Sequence, residues 1–551
     1  MKTSKNSGRK SVQDATVVNY AGAAAYSMAA EAALAQLSVT GCFNNTFYTK
    51  AEDQLAQVLT LARQAHPLFL AKVAVYARES GFMKDMPAAL ISYLAARDPD
   101  LCAQIFPKVI TNGKMLRNFA QMIRSGSFGR HNLSAQRIKK MVTAWFNSRT
   151  DEQIFFQSVG DKPTLGDIVK MARVAPTSAQ RSALYAYLIG KKEGKFEGLP
   201  FTVSEAVPAL IASYEAFKAS PVGEIPNAPF EMLLGLQLSP EDWKAVATKA
   251  TWFQTFRSLN TFARHGVFTD PRMVELVVGK LTRKDLIEKA NVFPYQIMTA
   301  YKAINEGSTW HKDEKPVDMP KEIGHALEEA MEVATVNVPA FEGLEVAICT
   351  DVSGSMRSPV TGERAGSTTT VRCVDVAALI SSCLLRKNPN SQVYPFEGDV
   401  RTDAVLKSGN SIMKNAGILA AVGGGSTNCA APLQAMNTAN KKVDVVIFVS
   451  DYESWSHGGG MNRAYDPYYY DQRRGPKPTT MAAEWEKIKI RSPNAKLVCI
   501  DITPHTTTQV EDNADVLNIG GFSDEVFKVM NAFVTGTGKG HWVETINQVQ
   551  L

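Results

Sequence analysis

Asp351, Ser353 and Ser355 stand side by side in the stretch Leu344 to Met356, LEVAICTDVSGSM. A carboxylate and two hydroxyls are hard oxygen donors. With no thiolate or imidazole among them they suit Mg²⁺, and also Ca²⁺ or Mn²⁺, better than zinc. Gly354 lets the backbone turn between the serines, so that all three side chains can face one point. Two later segments add donors of the same kind: Thr427 in the loop GGGSTN (Gly423 to Asn428), and Asp451 at the end of the apolar run VDVVIFVSD. Two hydroxyls and few carboxylates leave an ion poorly neutralised, with a coordination position open to a partner's carboxylate or to water. No general base stands in the set, and Asp375 and Glu453 are candidates only for supporting the ligands. The expected chemistry is binding rather than catalysis.

The elements that must position these donors are legible as strands and helices in alternation. Val346 to Cys349 reads as a buried strand that delivers Asp351 to the loop at its end. VDVAALISSCLLRK, APLQAMNTANK and MAAEWEKIKI read as helices, and SQVYPFE, VDVVIFVS and AKLVCIDI as strands. Such alternation predicts a doubly wound, mostly parallel sheet whose binding crevice lies beyond the carboxyl ends of the strands. Asp-x-Ser-x-Ser, then a threonine after a glycine run, then an aspartate at a strand end resembles the metal-ion-dependent adhesion site of von Willebrand factor A (vWA) domains. The stretch from Ser454 to Thr480 is a long loop rich in tyrosine, glycine and arginine, of a length that is usually functional or disordered. His457 within it is expected to be solvated.

Upstream, residues from about 11 to 335 have apolar positions at helical spacing, as in AEDQLAQVLTLAR, MPAALISYLAA and PRMVELVVGKL, with short breaks of Pro, Gly, Asp and Asn. Many short antiparallel helices suggest HEAT-like hairpins in an α-solenoid, although no strict repeat unit is visible. The charged, proline-containing segment His311 to His325 is a plausible boundary. The expected organisation is an all-α helical-repeat domain over residues 1–340 and an α/β vWA domain over residues 341–551.

A chain of 551 residues is too long for one core, and its net charge of +6 permits a nucleic-acid partner without demanding one. The seven cysteines are dispersed and odd in number, with no CxxC spacing. That pattern, with neither a secretory signal nor a membrane-spanning run evident, suits a reduced cytoplasmic setting.

Charge distribution says more than the total. No acidic residue lies between Asp100 and Asp151, where Lys108, Lys114, Arg117, Arg124, Arg130, Arg137, Lys139, Lys140 and Arg149 accumulate. Acid-free runs also cover Ile168 to Lys192, with Lys170, Arg173 and Arg181, and Trp243 to Thr269, with Lys244, Lys249, Arg257 and Arg264. One-signed runs of this kind imply a surface for an anionic polymer, with His131 and His265 placed to touch it. Phe119, Phe128, Trp145, Trp252 and Phe253 could stack on unpaired bases, although large apolar groups more often belong to the core.

The helical half carries a further resemblance. KVAVYARESGFMKDMPAALISYLAARD, KVITNGKMLRNFAQMIRSG, LGDIVKMARVAPTS, FRSLNTFARHGVF and PYQIMTAYKAI are similar to successive blocks of the TROVE module of the Ro 60 kDa autoantigen family and its bacterial Ro-like relatives. The order, helical module and then vWA domain, is similar too. This resemblance implies a ring of helical repeats that binds small structured non-coding (Y) RNAs on a basic outer surface and takes single-stranded ends of misfolded RNAs into its hole. It also implies a role in RNA quality control alongside exoribonucleases. By block it points to Lys114, Arg117, Arg124, Arg130, Lys139, Lys140, Lys170 and Arg173 as RNA contacts. The third block departs from relatives by reading KMARVAP, where a histidine often precedes the proline.

The leading expectation is a non-catalytic RNA-binding scaffold, monomeric within a ribonucleoprotein, without DNA specificity and without a membrane partner. A divalent-metal-dependent protein-interaction adaptor with no direct RNA role is the alternative. A metal-dependent nuclease is a third, and no Ser/His/Asp order, phosphate-binding P-loop or Cys/His cluster supports it.

Overall fold

The computed structural model describes the chain except residues 1–12, 41–49, 130–131, 161, 193–194, 197–207, 222, 291, 293, 306–317, 361–370, 455–478, 504, 523 and 537–541. His457 and nearly all of the tyrosine-rich loop therefore lie outside the described residues, as do Arg130 and His131. Two compact units divide the chain. One comprises the described residues within Met1–Gln54, Phe293–Tyr295 and Thr335–Thr545, and the other those within Leu55–Val292, Gln296–Ala334 and Ile546–Leu551.

The second unit is helical, and its helices start where the sequence supplies caps. Thr150, Thr164, Ser239 and Thr251 each accept from the backbone N–H three residues on, and the side chains of Gln153, Asp167, Asp242 and Gln254 return the bond. Proline opens helices at Pro67, Pro99, Pro240 and Pro271, where its missing N–H costs nothing. The helices Pro67–Glu79 and Asp85–Arg97 are buried over most of their surface, as a layer inside stacked hairpins must be.

The first unit is built on a parallel sheet. Its strands are β3 (Val346–Asp351), β4 (Gln392–Phe396), β5 (Val445–Ser450), β6 (Lys496–Asp501) and β8 (Val516–Gly520), in the order β8-β6-β5-β3-β4. β3 and β5 are buried at every position, as strands covered on both faces are. From β3 the chain passes to β4 on one side and to β5 on the other. The crevice at that reversal opens beyond the carboxyl ends of β3 and β5.

The N-terminal residues fall on the other side of the expected boundary at 340/341. Instead of opening the helical domain, β1 (Val17–Val18) and β2 (Ala24–Ser27) form an antiparallel hairpin in the first unit. β2 then pairs antiparallel with β7 (Thr507–Thr508), Tyr26 opposite Thr508. The cause is burial: Tyr26 enters the same apolar cluster as Phe396, Phe448 and Trp485, which no helical-unit packing would supply. The boundary expected from His311 to His325 also moves, because the helix Lys321–Ala334 begins inside it and belongs to the helical unit.

Candidate metal centre and basic surface

β3 ends on Asp351 and β5 delivers Asp451, both fully enclosed, while Ser353 and Ser355 follow in the turn after β3. The Ser353 N–H donates to Asp351 Oδ1 at 2.8 Å, and the Ser450 hydroxyl donates to Asp351 Oδ2. The Ser353 and Ser355 hydroxyl oxygens lie 3.3 Å apart. Ser355 in turn is close enough to Asp451 for its hydroxyl to favour the ionised carboxylate. Asp351, Ser353, Ser355 and Asp451 thus form one connected set of oxygens.

Thr427 follows a glycine loop that is fastened to the turn after β3. Gly424 N–H donates to the Val352 carbonyl at 2.8 Å and Gly354 N–H to the Gly425 carbonyl at 2.9 Å, stitching the two turns together. Gly423 has φ +80°, and a Cβ there would lie 2.1 Å from the Val352 carbonyl oxygen, so only glycine permits the approach. Gly425 N–H donates to Glu397 Oε2 at 2.8 Å, which fixes the far side of the loop. Thr427 itself is buried.

Electrostatics supply the test of whether an ion fits. Burial, and after it the charge of Asp451, pushes the Asp351 carboxyl up to about 7. Burial likewise raises Asp451. Among the described residues no lysine or arginine forms an ion pair with either carboxylate. Two enclosed carboxylates that lack a cationic partner, with three hydroxyls beside them, fit a divalent cation, which would replace the missing positive charge. Among the described residues no group of three or more His, Cys, Asp or Glu side chains could hold a metal ion. Asp375 is buried and paired with Arg372 at 2.8 Å, a support rather than a ligand. Behind Asp451 lie Glu453, raised by burial to about 8, and His505, lowered by burial to about 4, with His505 Nδ1 3.6 Å from Glu453 Oε1.

The basic residues sort less uniformly. Lys114, Arg124, Lys140, Lys170, Arg173 and Arg257 are exposed and Lys139 is half-buried, and none forms an ion pair among the described residues. Arg264 and His265 are exposed as well, the latter stacked on buried Trp243 with ring centroids 4.1 Å apart. Arg137 is exposed but pairs with Asp100 at 3.4 Å. Arg117 is a correction: it is buried, its guanidinium donates to the Gln157 carbonyl at 3.0 Å, and it fills the space beside Gly160. Arg181 likewise turns inward, paired with Asp151 and donating to the carbonyls of Phe146 and Arg149. Lys244 and Lys249 find Glu241 and Glu224. The acid-free runs are therefore partly neutralised by acids from elsewhere in the chain. Of the aromatic candidates, Phe119, Phe128, Trp145 and Trp252 are core, and Phe253 alone is exposed, with Arg257 over its ring at 5.7 Å.

Two residues absent from the sequence expectation join this surface. Arg78, which donates to Thr111 Oγ1 at 2.9 and 3.0 Å, and Lys84 converge with Lys114 and Arg257. Burial and then the positive charges of Lys114, Arg257 and Arg78 lower the Lys84 ammonium, with Asp85 alone opposing them. Their signal was masked in the sequence because Glu79 and Asp85 sit next to them.

Residues 345–472 match the family model described as the Ro60 vWA domain. The chain is 24% identical over 543 residues to the RNA-binding protein RO60 of Deinococcus radiodurans, an alignment that covers 94% of this chain and 95% of the relative. It is also 24% identical over 281 residues to the RNA-binding protein RO60 of Caenorhabditis elegans, covering 48% of this chain and 38% of that one. The crystal structure of the Deinococcus radiodurans Ro (RSR) protein superposes with a TM-score of 0.61 at 18% identity, over 93% of this chain and all of that one, and so shares the fold. A helix-rich half, a match to the Ro60 vWA domain model over residues 345–472 and a similarity that runs nearly end to end thus make this chain similar to the Ro 60 kDa proteins.

Proposed function

We propose that this protein is an RNA-binding scaffold that takes small structured non-coding RNA and the single-stranded ends of misfolded RNA, in RNA quality control or processing. The exposed cations of the helical unit that form no ion pair among the described residues, Lys114, Arg124, Lys140, Lys170, Arg173 and Arg257, carry this reading, and Arg78 and Lys84 add their charge to that of Lys114 and Arg257. Arg78, Lys84, Lys114 and Arg257 come from different segments, with Glu79 and Asp85 beside them, and like charges gathered in this way repel each other unless an anion joins them; a phosphodiester backbone is the anion that repeats. The exposed ring of Phe253 beside Arg257 adds a face on which a base can stack. Both curated relatives bear the name RNA-binding protein, which agrees with it.

The vWA centre adds a second kind of binding. Asp351, Ser353, Ser355, Thr427 and Asp451 would hold a divalent ion, Mg²⁺ foremost, that supplies a Lewis-acidic position for an oxygen ligand of a protein partner such as an exoribonuclease. The reading is non-enzymatic, since carboxylates and hydroxyls of this kind suit holding an ion and an oxygen ligand. No helix among the described residues is long and apolar enough to cross a membrane, and a cytoplasmic, monomeric ribonucleoprotein is the setting we favour.

Fluorescence anisotropy with a labelled stem-loop RNA bearing a single-stranded 3′ tail tests the proposal. Lys84→Glu should weaken binding at least tenfold, and the double change Lys139→Glu with Lys140→Glu should weaken it as well. Unchanged affinity in all of these would sink the RNA reading. Clean protein incubated with the same RNA and Mg²⁺ should leave it intact, and cleavage would restore the nuclease alternative.

A further inference from the structure

The peptide that follows Asp451 is held by residues from the beginning of the chain. Tyr452 takes a left-handed conformation (φ 57°), unfavourable for a bulky side chain and stable only where its surroundings impose it. Within the sheet unit its N–H donates to Ser450 Oγ at 3.0 Å, and Gln509 Nε2 donates to its carbonyl at 3.4 Å. The next two residues are held from the β1–β2 turn. Ala21 N–H donates to Glu453 Oε2 at 2.9 Å, and Asn19 Nδ2 donates to the Ser454 carbonyl at 3.0 Å. The Tyr20 ring lies 4.9 Å from that of His505, the residue beside Glu453.

Asn19 is itself fixed. It is buried, its Oδ1 accepts from Ala23 N–H at 2.8 Å, and its own N–H donates to the Ala23 carbonyl at 2.8 Å. Gly22, at φ +82°, closes the turn. Ser454 is the junction to the other loop: its hydroxyl oxygen accepts from Cys429 N–H at 3.2 Å and faces the Thr427 carbonyl at 3.5 Å. One turn therefore grips Glu453 and Ser454, the second and third residues after Asp451, and, through Ser454, the segment that carries Thr427.

We infer that the Asn19–Gly22 turn is a positioning element for the ion-binding loops, with Asn19 the residue that ties Ser454, and through it Thr427, to the spacing the ion requires. This inference rests on the metal reading above. A hairpin that served only to bury Tyr26 and pair with β7 would need no polar contacts to Glu453 and Ser454. Supporting groups of this kind set ligand spacing, and their loss typically lowers metal affinity on the order of 10–100-fold.

The test uses the whole 551-residue chain, with Asn19→Ala to cut the tie and Tyr26→Phe as a control that removes the hydroxyl and its bonds to the Gln13 carbonyl and Thr479 while leaving Asn19 intact. Two measurements are made on each: amide hydrogen exchange in chelator at Cys429 and at residues 452–454, and Mn²⁺ affinity by titration calorimetry. Asn19→Ala should raise exchange at Cys429 and weaken Mn²⁺ binding roughly tenfold, and Tyr26→Phe should change neither. Unchanged exchange at Cys429 in Asn19→Ala overturns the inference, as does an equal loss of Mn²⁺ affinity in the control. A wild-type chain that takes up no Mn²⁺ overturns the metal reading instead, and the exchange measurement still decides whether the turn holds the loops.

Discussion

Asp351 and Asp451 are two enclosed carboxyl groups that burial keeps from ionising easily, and pH acts on them directly. A carboxyl whose folded pKa lies above its unfolded one stabilises the fold fully at pH below the unfolded value and loses that contribution as pH rises through the folded one. For Asp351, raised from 3.8 to about 7, and Glu453, raised from 4.5 to about 8, the loss extends to the alkaline side of neutrality. His505, depressed to about 4 from 6.5, has the opposite sign and loses its contribution only as pH falls below about 6.5. Between about pH 6.5 and 8 the carboxyls act alone, so the melting temperature in chelator should fall across that window. Mg²⁺ needs the ionised forms, so the gap between melting temperatures with Mg²⁺ and with chelator should widen over the same range. A gap that stays flat would count against an ion at this site. Arg181 makes the complementary point: acid-free sequence suggests a surface cation, yet its partners are Asp151 and two backbone carbonyls. Arg181→Ala should destabilise the helical unit by about 3 kcal/mol, because a charge and two carbonyls lose their partners together. Chemical denaturation checks that figure, and RNA affinity per folded molecule should not change.

At the level of elements, the sheet and its loops were legible because each signal is local. An apolar run four to eight residues long ending on an aspartate, and glycines before a threonine, specify a strand end and a close-packed turn without reference to anything distant. Helix starts carry an equally local signal, since the members of a capping pair such as Thr251 and Gln254 lie three positions apart. What could not be seen was which cations turn inward onto partners from another segment, as Arg117 does onto the Gln157 carbonyl, or which add to charges from elsewhere despite an acidic neighbour, as Lys84 does beside Asp85. The glycine loop gives the test at this scale. Gly423→Ala places a methyl group 2.1 Å from the Val352 carbonyl oxygen in a left-handed conformation, so the loop must move away from Asp351. Calorimetry should show at least a tenfold loss of Mn²⁺ affinity while RNA binding is retained. Equal affinity would mean that the loop does not set the ion's surroundings.

For the whole molecule the expectation is a division of labour between a polyanion-binding helical unit and an oxygen-lined ion socket. Affinity for RNA should fall linearly with the logarithm of salt concentration, at a slope of about −0.7 for each phosphate neutralised on a single strand. Lys84→Glu should make that slope shallower, and Asp351→Ala should leave it unchanged. A slope near zero in the wild-type chain would show that the exposed lysines and arginines do not engage phosphates. The order of the two halves was legible in the sequence; the membership of the first fifty residues was not, because their partners lie at the opposite end of the chain.

That membership bears on biosynthesis. Tyr26 pairs opposite Thr508, a separation of 482 residues (508 − 26). A ribosome adding about 5–20 residues per second needs roughly 25–100 s to cover that distance. For all of that time the strand that carries this tyrosine lacks its pairing partner, and the α/β half cannot finish folding until both ends of the polypeptide have been made. Nascent chains stalled before β7 should therefore be cut readily by protease near residues 13–27, and release of the finished chain should abolish the cleavage.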